Sequence, residues 1–192
     1  MVLKQWPGIQ RSWWNTIRAV LLLPLVAMLP GCLVVQTTEH IVNLNVDGSG
    51  EAVLHLIDIR SDAPTDSLFQ ADFNDLAKVY REKKVDEFER YGRRITSKRF
   101  RVQGGTLMAE VTYVFSSLEA IEGLRATKDE LSLLFPPSKE VVRANGQITV
   151  MPNQGTRIAW DRDARKLVYV VREKQLPDSK SLAAMFLKLQ QQ

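Results

Sequence analysis

The stretch His40-Ile-Val-Asn-Leu-Asn-Val-Asp-Gly-Ser-Gly-Glu-Ala-Val-Leu-His-Leu-Ile-Asp-Ile59 decides the fold. Strict alternation of apolar and polar residues marks a strand with one buried face. His40, Val42, Leu44 and Val46 point one way, while Ile41, Asn43 and Asn45 point the other. Asp47-Gly48-Ser49-Gly50 is a strong turn signal, and from Glu51 to Arg60 a second row follows, with Val53, His55, Ile57 and Ile59 on one face. A loop over Gly48 and Ser49 pairs Val46 with Glu51, Leu44 with Val53 and Val42 with His55. Both apolar rows then share a side, as a half-buried hairpin requires.

Downstream, Ser61 to Ser67 reads as a loop and Leu68 to Tyr91 as one long amphipathic helix stopped by Gly92. Phe69, Phe73, Leu76, Tyr80, Phe88 and Tyr91 form its apolar stripe at three- and four-residue spacing. A second hairpin runs Arg94–Val102 and Thr106–Phe115 around Gly104-Gly105, setting Phe100 beside Ala109, Val102 beside Leu107 and Arg99 opposite Glu110. Ser116 to Gly123 reads as a short capped helix, and Glu130 to Phe135 as a strand stopped by Pro136-Pro137. A third hairpin is expected over Glu140–Ala144 and Gln147–Met151 around Asn145-Gly146, and a fourth over Thr156–Trp160 and Lys166–Arg172. Ser179 to Leu189 closes the chain as a short helix. Strand and helix do not alternate regularly, which excludes a parallel doubly wound sheet. The expected class is α+β: an antiparallel sheet built from hairpins, one long amphipathic helix packed on it and a short C-terminal helix.

Upstream, Lys4, Arg11 and Arg18 precede an apolar run from Ala19 to Leu29. That run is too short to span a bilayer, which needs about 20 apolar residues, and it has the length of a signal-peptide core. Of the chain's 26 basic and 22 acidic residues, three basic and no acidic ones lie in this segment, so the remainder carries 23 against 22. A near-neutral body lacks the positive surplus that phosphate backbones reward, so no nucleic-acid partner is expected. With 45% hydrophobic and 25% charged residues the composition is that of a globular chain. The expected organisation is a removable segment over 1–31, a modified N-terminus with a very short tether over 32–37, and a single domain over 38–192.

Chemical motifs are sparse. In the register above, His40 and His55 sit diagonally across the first hairpin, within reach of a shared ion, but two further ligands are missing. Ser49 lacks the spacing of a nucleophile elbow and belongs to a turn. No catalytic residue, metal site or cofactor is expected, and the chain reads as a non-enzyme. Arg93, Arg94, Lys98, Arg99 and Arg101 form the one dense basic segment. Near a membrane it is a candidate contact for anionic lipid, at about 1 kcal/mol per cation; the alternative is a solvated sheet face neutralised by Glu110 and the acidic helix residues.

Leu29-Pro30-Gly31-Cys32, directly after the apolar run, resembles the lipobox of bacterial lipoproteins, and Cys32 is the single cysteine. The resemblance implies cleavage between Gly31 and Cys32, acylation of the Cys32 thiol and anchoring in the membrane through those chains. Leu33 stands where an Asp would resemble an inner-membrane retention signal. That favours the periplasmic face of the outer membrane in a host with two membranes. Val42 to Gly50, the following Glu51-Ala-Val-Leu-His-Leu56, the helix, the Arg-rich hairpin and Phe115-Ser-Ser-Leu-Glu-Ala-Ile121 together resemble the LppM-like envelope lipoproteins over roughly Cys32 to Val171. This implies a cell-envelope α+β domain whose ligand is a lipid or glycolipid. Two functional expectations follow: a lipid-anchored binding module for envelope lipid or glycolipid, or a structural or accessory subunit docking onto an envelope protein partner through strand edges or the Ser179–Leu189 helix.

Overall fold

A computed structural model describes residues 33–191 apart from 83, 84, 90 and 177; the expected export segment, Gly31 and Cys32 lie outside the described residues. The elements in chain order are β1 (Leu33–Leu44), β2 (Gly50–Ser61), α1 (Asp66–Arg81), α2 (Asp86–Glu89), β3 (Arg93–Gln103), β4 (Thr106–Phe115), a 3-10 turn (Leu118–Ala120), β5 (Arg125–Ala126), β6 (Glu130–Phe135), β7 (Lys139–Ala144), β8 (Gln147–Met151), β9 (Gly155–Asp161), β10 (Lys166–Glu173), β11 (Lys180–Ser181) and α3 (Ala183–Gln190). They build an α+β fold from two antiparallel sheets. The larger is seven-stranded, in the order β3-β4-β2-β1-β10-β7 with β11 added to β2; the smaller is four-stranded, in the order β5-β6-β9-β8.

The larger sheet has an inner face built by one row from each strand. Lys98, Phe100 and Val102 on β3 lie over Val111, Ala109 and Leu107 on β4; these continue into Leu54 and Leu56 on β2, His40 and Thr38 on β1, and Tyr169 and Val171 on β10. Two covers close this face. At one end Tyr80 of α1 packs edge-on against Phe100 (5.6 Å between ring centroids) and against Phe186 of α3 (5.0 Å). At the other, Phe135 of β6 and Trp160 of β9 pack on Tyr169 at 5.6 and 6.2 Å. The edge-to-face contacts of Tyr80 are favourable beyond their burial alone, and the two on Tyr169 are tilted.

The β3–β4 hairpin has the expected register, with Arg99 opposite Glu110, Phe100 opposite Ala109 and Val102 opposite Leu107. β6 occupies the expected span up to the two prolines. The first hairpin differs. Its loop covers Asn45 to Ser49, closed by the Asn45 amide donating to the Ser49 carbonyl at 2.8 Å, so Leu44 pairs with Gly50 and Val42 with Ala52. The inward row of β2 is therefore Ala52, Leu54 and Leu56, not Val53, His55 and Ile57. Val46, expected as a strand residue, lies in the loop and is 87% exposed. Further along, Asp58 takes a left-handed backbone (φ 62), which Asp tolerates better than most residues. Beyond it the buried positions of β2 shift to Ile59 and Ser61.

The expected single helix is two. α1 ends at Arg81, where the Glu82 amide donates to the Lys78 carbonyl and the Lys98 ammonium donates to the carbonyls of Val79 and Glu82. Helix ends leave such carbonyls unpaired, and a lysine from β3 takes them up. Thr65 caps the start, its hydroxyl accepting from the Leu68 amide at 3.3 Å. The segment expected as a short capped helix is one 3-10 turn, without a side-chain cap from Ser117.

Neither of the last two expected hairpins forms. β7 pairs with β10 in the larger sheet, whereas β8 pairs with β9 in the smaller. Asn145-Gly146 is thus a corner between sheets, and β9 and β10 also lie in different sheets. The Asn145 side chain explains the corner. Its Oδ1 accepts from Trp160 Nε1 and from the Val168 amide, both at 2.7 Å, and its Nδ2 donates to the Lys166 carbonyl at 2.8 Å. One residue thereby ties β9 to β10. A Cβ on Gly146 would lie 2.5 Å from the Ala159 carbonyl oxygen, so the close approach of the two chains needs glycine there.

Candidate functional site

Between the inner face, α2 and the smaller sheet lies a partly open cavity of about 100 Å³. Its wall is mostly apolar: Val35 of β1, Leu54 and Leu56 of β2, Phe88 of α2, Leu133 and Phe135 of β6 and Val171 of β10. The polar groups cluster along one line. His40, Tyr113 and Tyr169 stand mid-sheet, Arg93 and Glu122 lie at one side, and Gln36, Lys139 and Glu173 at the other. Strand periodicity places them there. His40 registers with Leu54 on one side and Tyr169 on the other, and Ala52, next inward on β2, registers with Tyr113.

The central triplet is tightly bonded. His40 Nδ1 shares a hydrogen bond with the Tyr169 hydroxyl at 2.5 Å, and Nε2 shares one with the Tyr113 hydroxyl at 2.7 Å. Burial, with a smaller push from the Arg93 charge, lowers the His40 pKa to about 4, so the ring is neutral near pH 7. Burial likewise raises both tyrosines above their ordinary range. His40 nevertheless keeps part of its surface accessible, and that surface lines the cavity.

Arg93 is 3% exposed. Its guanidinium carbon lies 4.2 Å from the Phe88 ring centroid and 4.9 Å from that of Tyr91, while Nε donates to the Phe88 carbonyl at 3.5 Å. Nη2 is buried and finds no hydrogen-bond partner among the described residues. Burial pulls the Arg93 pKa down, and Tyr113, Glu122 and Tyr91 pull it back; an arginine keeps its charge throughout. At the other side Lys139 and Glu173 pair at 2.9 Å, each partly exposed.

The basic segment is divided by a bulge between Ile95 and Ser97. Arg93 points inward before it, and Lys98 points inward after it, onto the end of α1. Arg94, Arg99 and Arg101 are exposed on the outer face. There Arg99 pairs with Glu110 at 3.8 Å, and His55 bridges Glu39 (2.9 Å) and Glu110 (3.4 Å). The His55 hydrogen bond, helped by Arg143, holds the Glu39 carboxyl below its usual range against the cost of burial. The two histidines therefore lie on opposite faces, and no ion can span them. Among the described residues no group of three or more His, Cys, Asp or Glu is placed to hold a metal.

Tyr113, Tyr169 and Glu122 were not distinguishable as site residues by motif. The two tyrosines sit in ordinary apolar rows, Leu107-Ala109-Val111-Tyr113 and Leu167-Tyr169-Val171, and their polar tips were the available signal. No protein-family model matches this chain, and neither does any curated protein or solved structure.

Proposed function

We propose that this chain is a non-catalytic binding module of the bacterial cell envelope, anchored through acylated Cys32 and taking a lipid or glycolipid into the cavity beneath its larger sheet. The observation that carries the reading is the cavity itself, mostly apolar with a few convergent polar groups, which is the usual make-up of a ligand site. Its position agrees with an anchor. β1 begins at Leu33, and Val35 and Gln36 already line the cavity. At about 3.3 Å per residue, that side of the cavity lies roughly 7–10 Å along the strand from Leu33, the first described residue. A lipid leaving the membrane has a short path to it. On the same reading, Arg94, Arg99 and Arg101 are the members of the basic segment exposed to meet anionic headgroups, Arg99 while pairing with Glu110. Leu33, standing after the cysteine where an Asp would resemble a retention signal, favours the periplasmic face of the outer membrane in a two-membrane host.

A non-catalytic role suits the triplet. A general base is tuned near the working pH, whereas His40 is held near 4 with both nitrogens engaged. Native mass spectrometry of the full chain, with lipid extraction, tests the reading: a defined lipid adduct is expected. A ligand-free mass together with a stoichiometric protein partner would replace it with the accessory-subunit reading. One observation favours that second reading. β8 is an edge strand with Val150 75% and Ile148 43% exposed, a suitable template for an added strand. The C-terminal helix favours it less, since Leu182 and Phe186 are fully buried in this fold. The anchor has its own test: Cys32→Ala should abolish lipid labelling and leave unprocessed precursor, and normal processing in that variant would sink it.

A further inference from the structure

Two donors on the polar side of the cavity find no acceptor among the described residues. A neutral imidazole carries one N–H and one bare nitrogen. Of the two hydroxyls on His40, one therefore accepts from the ring and the other donates to it. The accepting hydroxyl keeps its own proton, and neither tyrosine has a further hydrogen-bond partner among the described residues. Nη2 of Arg93, whose charge acts on both His40 and Tyr113, is a second buried donor with none among the described residues. Of the nearby carboxylates, Glu173 is paired with Lys139 at 2.9 Å, and Glu122 acts on Arg93 and Tyr169 through its charge. Buried donors left unpaired are costly, and two of them on residues lining one cavity call for an acceptor.

We propose that the cavity recognises a single-chain amphiphile by its anionic head, a carboxylate or phosphate monoester that accepts hydrogen bonds from Arg93 Nη2 and from one hydroxyl of the Tyr113–His40–Tyr169 triplet, with its alkyl chain along Leu54, Leu56 and Val171. This rests on the lipid-binding reading of the same cavity and names the chemistry of the head. An acceptor-only anion matches two surplus donors, and charge-assisted bonds of this kind are the strong ones. The volume argues for one chain. About 100 Å³ is less than the ~150 Å³ apolar cavity that holds benzene, so the head and a few methylenes fill it. The rest of the chain lies toward Gln36 and the Lys139–Glu173 pair.

The test uses short, soluble probes and the full chain held in amphipol. Octanoate, octyl phosphate, octanol and octyltrimethylammonium are titrated by calorimetry and by saturation-transfer NMR. Octanoate or octyl phosphate should bind at least about ten-fold more tightly than octanol, the worth of a charge-assisted pair. Which of the two binds better assigns the carboxylate or the phosphate source. Arg93→Met should erase the preference for the anion. Because that variant removes a buried side chain, Tyr113→Phe and Tyr169→Phe, which change shape least, are measured beside it; one of the two should weaken the anion several-fold without weakening octanol. Octanol binding as tightly as octanoate would overturn the anionic head while leaving a lipid pocket standing. Absence of binding by all four probes would overturn both readings.

Discussion

His40 and His55 lie on the same hairpin and face opposite ways. His40 is enclosed by two tyrosines on the inner face; His55 sits between Glu39 and Glu110 on the outer. Inside, burial decides the charge state, because taking an imidazolium out of water costs more than the tyrosine hydroxyls return. Outside, His55 keeps part of its ring in water and lies between two carboxylates. One residue type on one strand pair thus serves two chemistries, and the pleat alone separates them. The inner one is built for a neutral, donor-rich cavity, the outer one for a charged surface.

The comparison can be broken at the inner histidine first. His40→Ala removes packing and leaves two buried hydroxyls without a partner, so a loss of about 3 kcal/mol is expected in urea unfolding at pH 7. A loss below ~1 kcal/mol would mean that the triplet contributes little. The titration of His40 sharpens the same point. Below 6.5 the unfolded chain protonates this residue, whereas the folded protein does not until about 4. Its contribution to stability is therefore full above pH 6.5 and falls across that window, by about 3 kcal/mol at its lower end. His40→Gln, which keeps a donor and an acceptor, should flatten that part of the pH profile; an unchanged slope would place the proton elsewhere.

Smaller effects follow outward. Gly146→Ala should cost about 2 kcal/mol, because the added carbon meets the Ala159 carbonyl and the Trp160 indole nitrogen at 2.5 and 2.7 Å. Asn145→Ala should cost about 1–2 kcal/mol by undoing the bonds between β9 and β10, measured as a shift in denaturant midpoint. His55→Ala on the outer face should cost less than ~1 kcal/mol, and Arg99→Ala, 78% exposed at the side chain, a few tenths that vanish in ~1 M salt.

Legibility followed the range of the controlling interactions. The β3–β4 hairpin was readable because Gly104-Gly105 and the Arg99–Glu110 pair fix it locally. The first hairpin slipped because Val46 looks like a strand residue, while the actual loop is held by polar contacts among Asn45, Asp47 and Ser49. Once its register moved, the facing of β2 moved with it, and His55 changed sides. The break after Arg81 depends on Lys98 arriving from another strand, and no local pattern announces that. Asn145-Gly146 carried the strongest hairpin signal and became a corner, since its asparagine spends its side chain on Trp160, Val168 and Lys166. For the candidate site, His40 and Arg93 stood out by residue type. Arg93 was placed on the surface because the bulge at Ile95–Ser97, which turns it inward, leaves no mark in the alternation.

The position of β1 has a consequence for how the molecule is made. It is the first described strand to leave the ribosome, yet it sits in the middle of the larger sheet, with β2 on one edge and β10 on the other. His40 waits for Tyr169, 129 positions later, before its ring is enclosed. Until then a nascent chain presents an open, apolar strand edge of the kind that aggregates. A pairing this distant also forms slowly, because the intervening loop must close first. The arrangement keeps the chain unfinished until Lys166–Glu173 has emerged; under the envelope location proposed above, that delay would suit a polypeptide exported before it folds. Ribosome-bound chains stalled before Lys166 should remain protease-sensitive across Val42 and Leu44, and chains stalled with the full sequence clear of the exit tunnel should not.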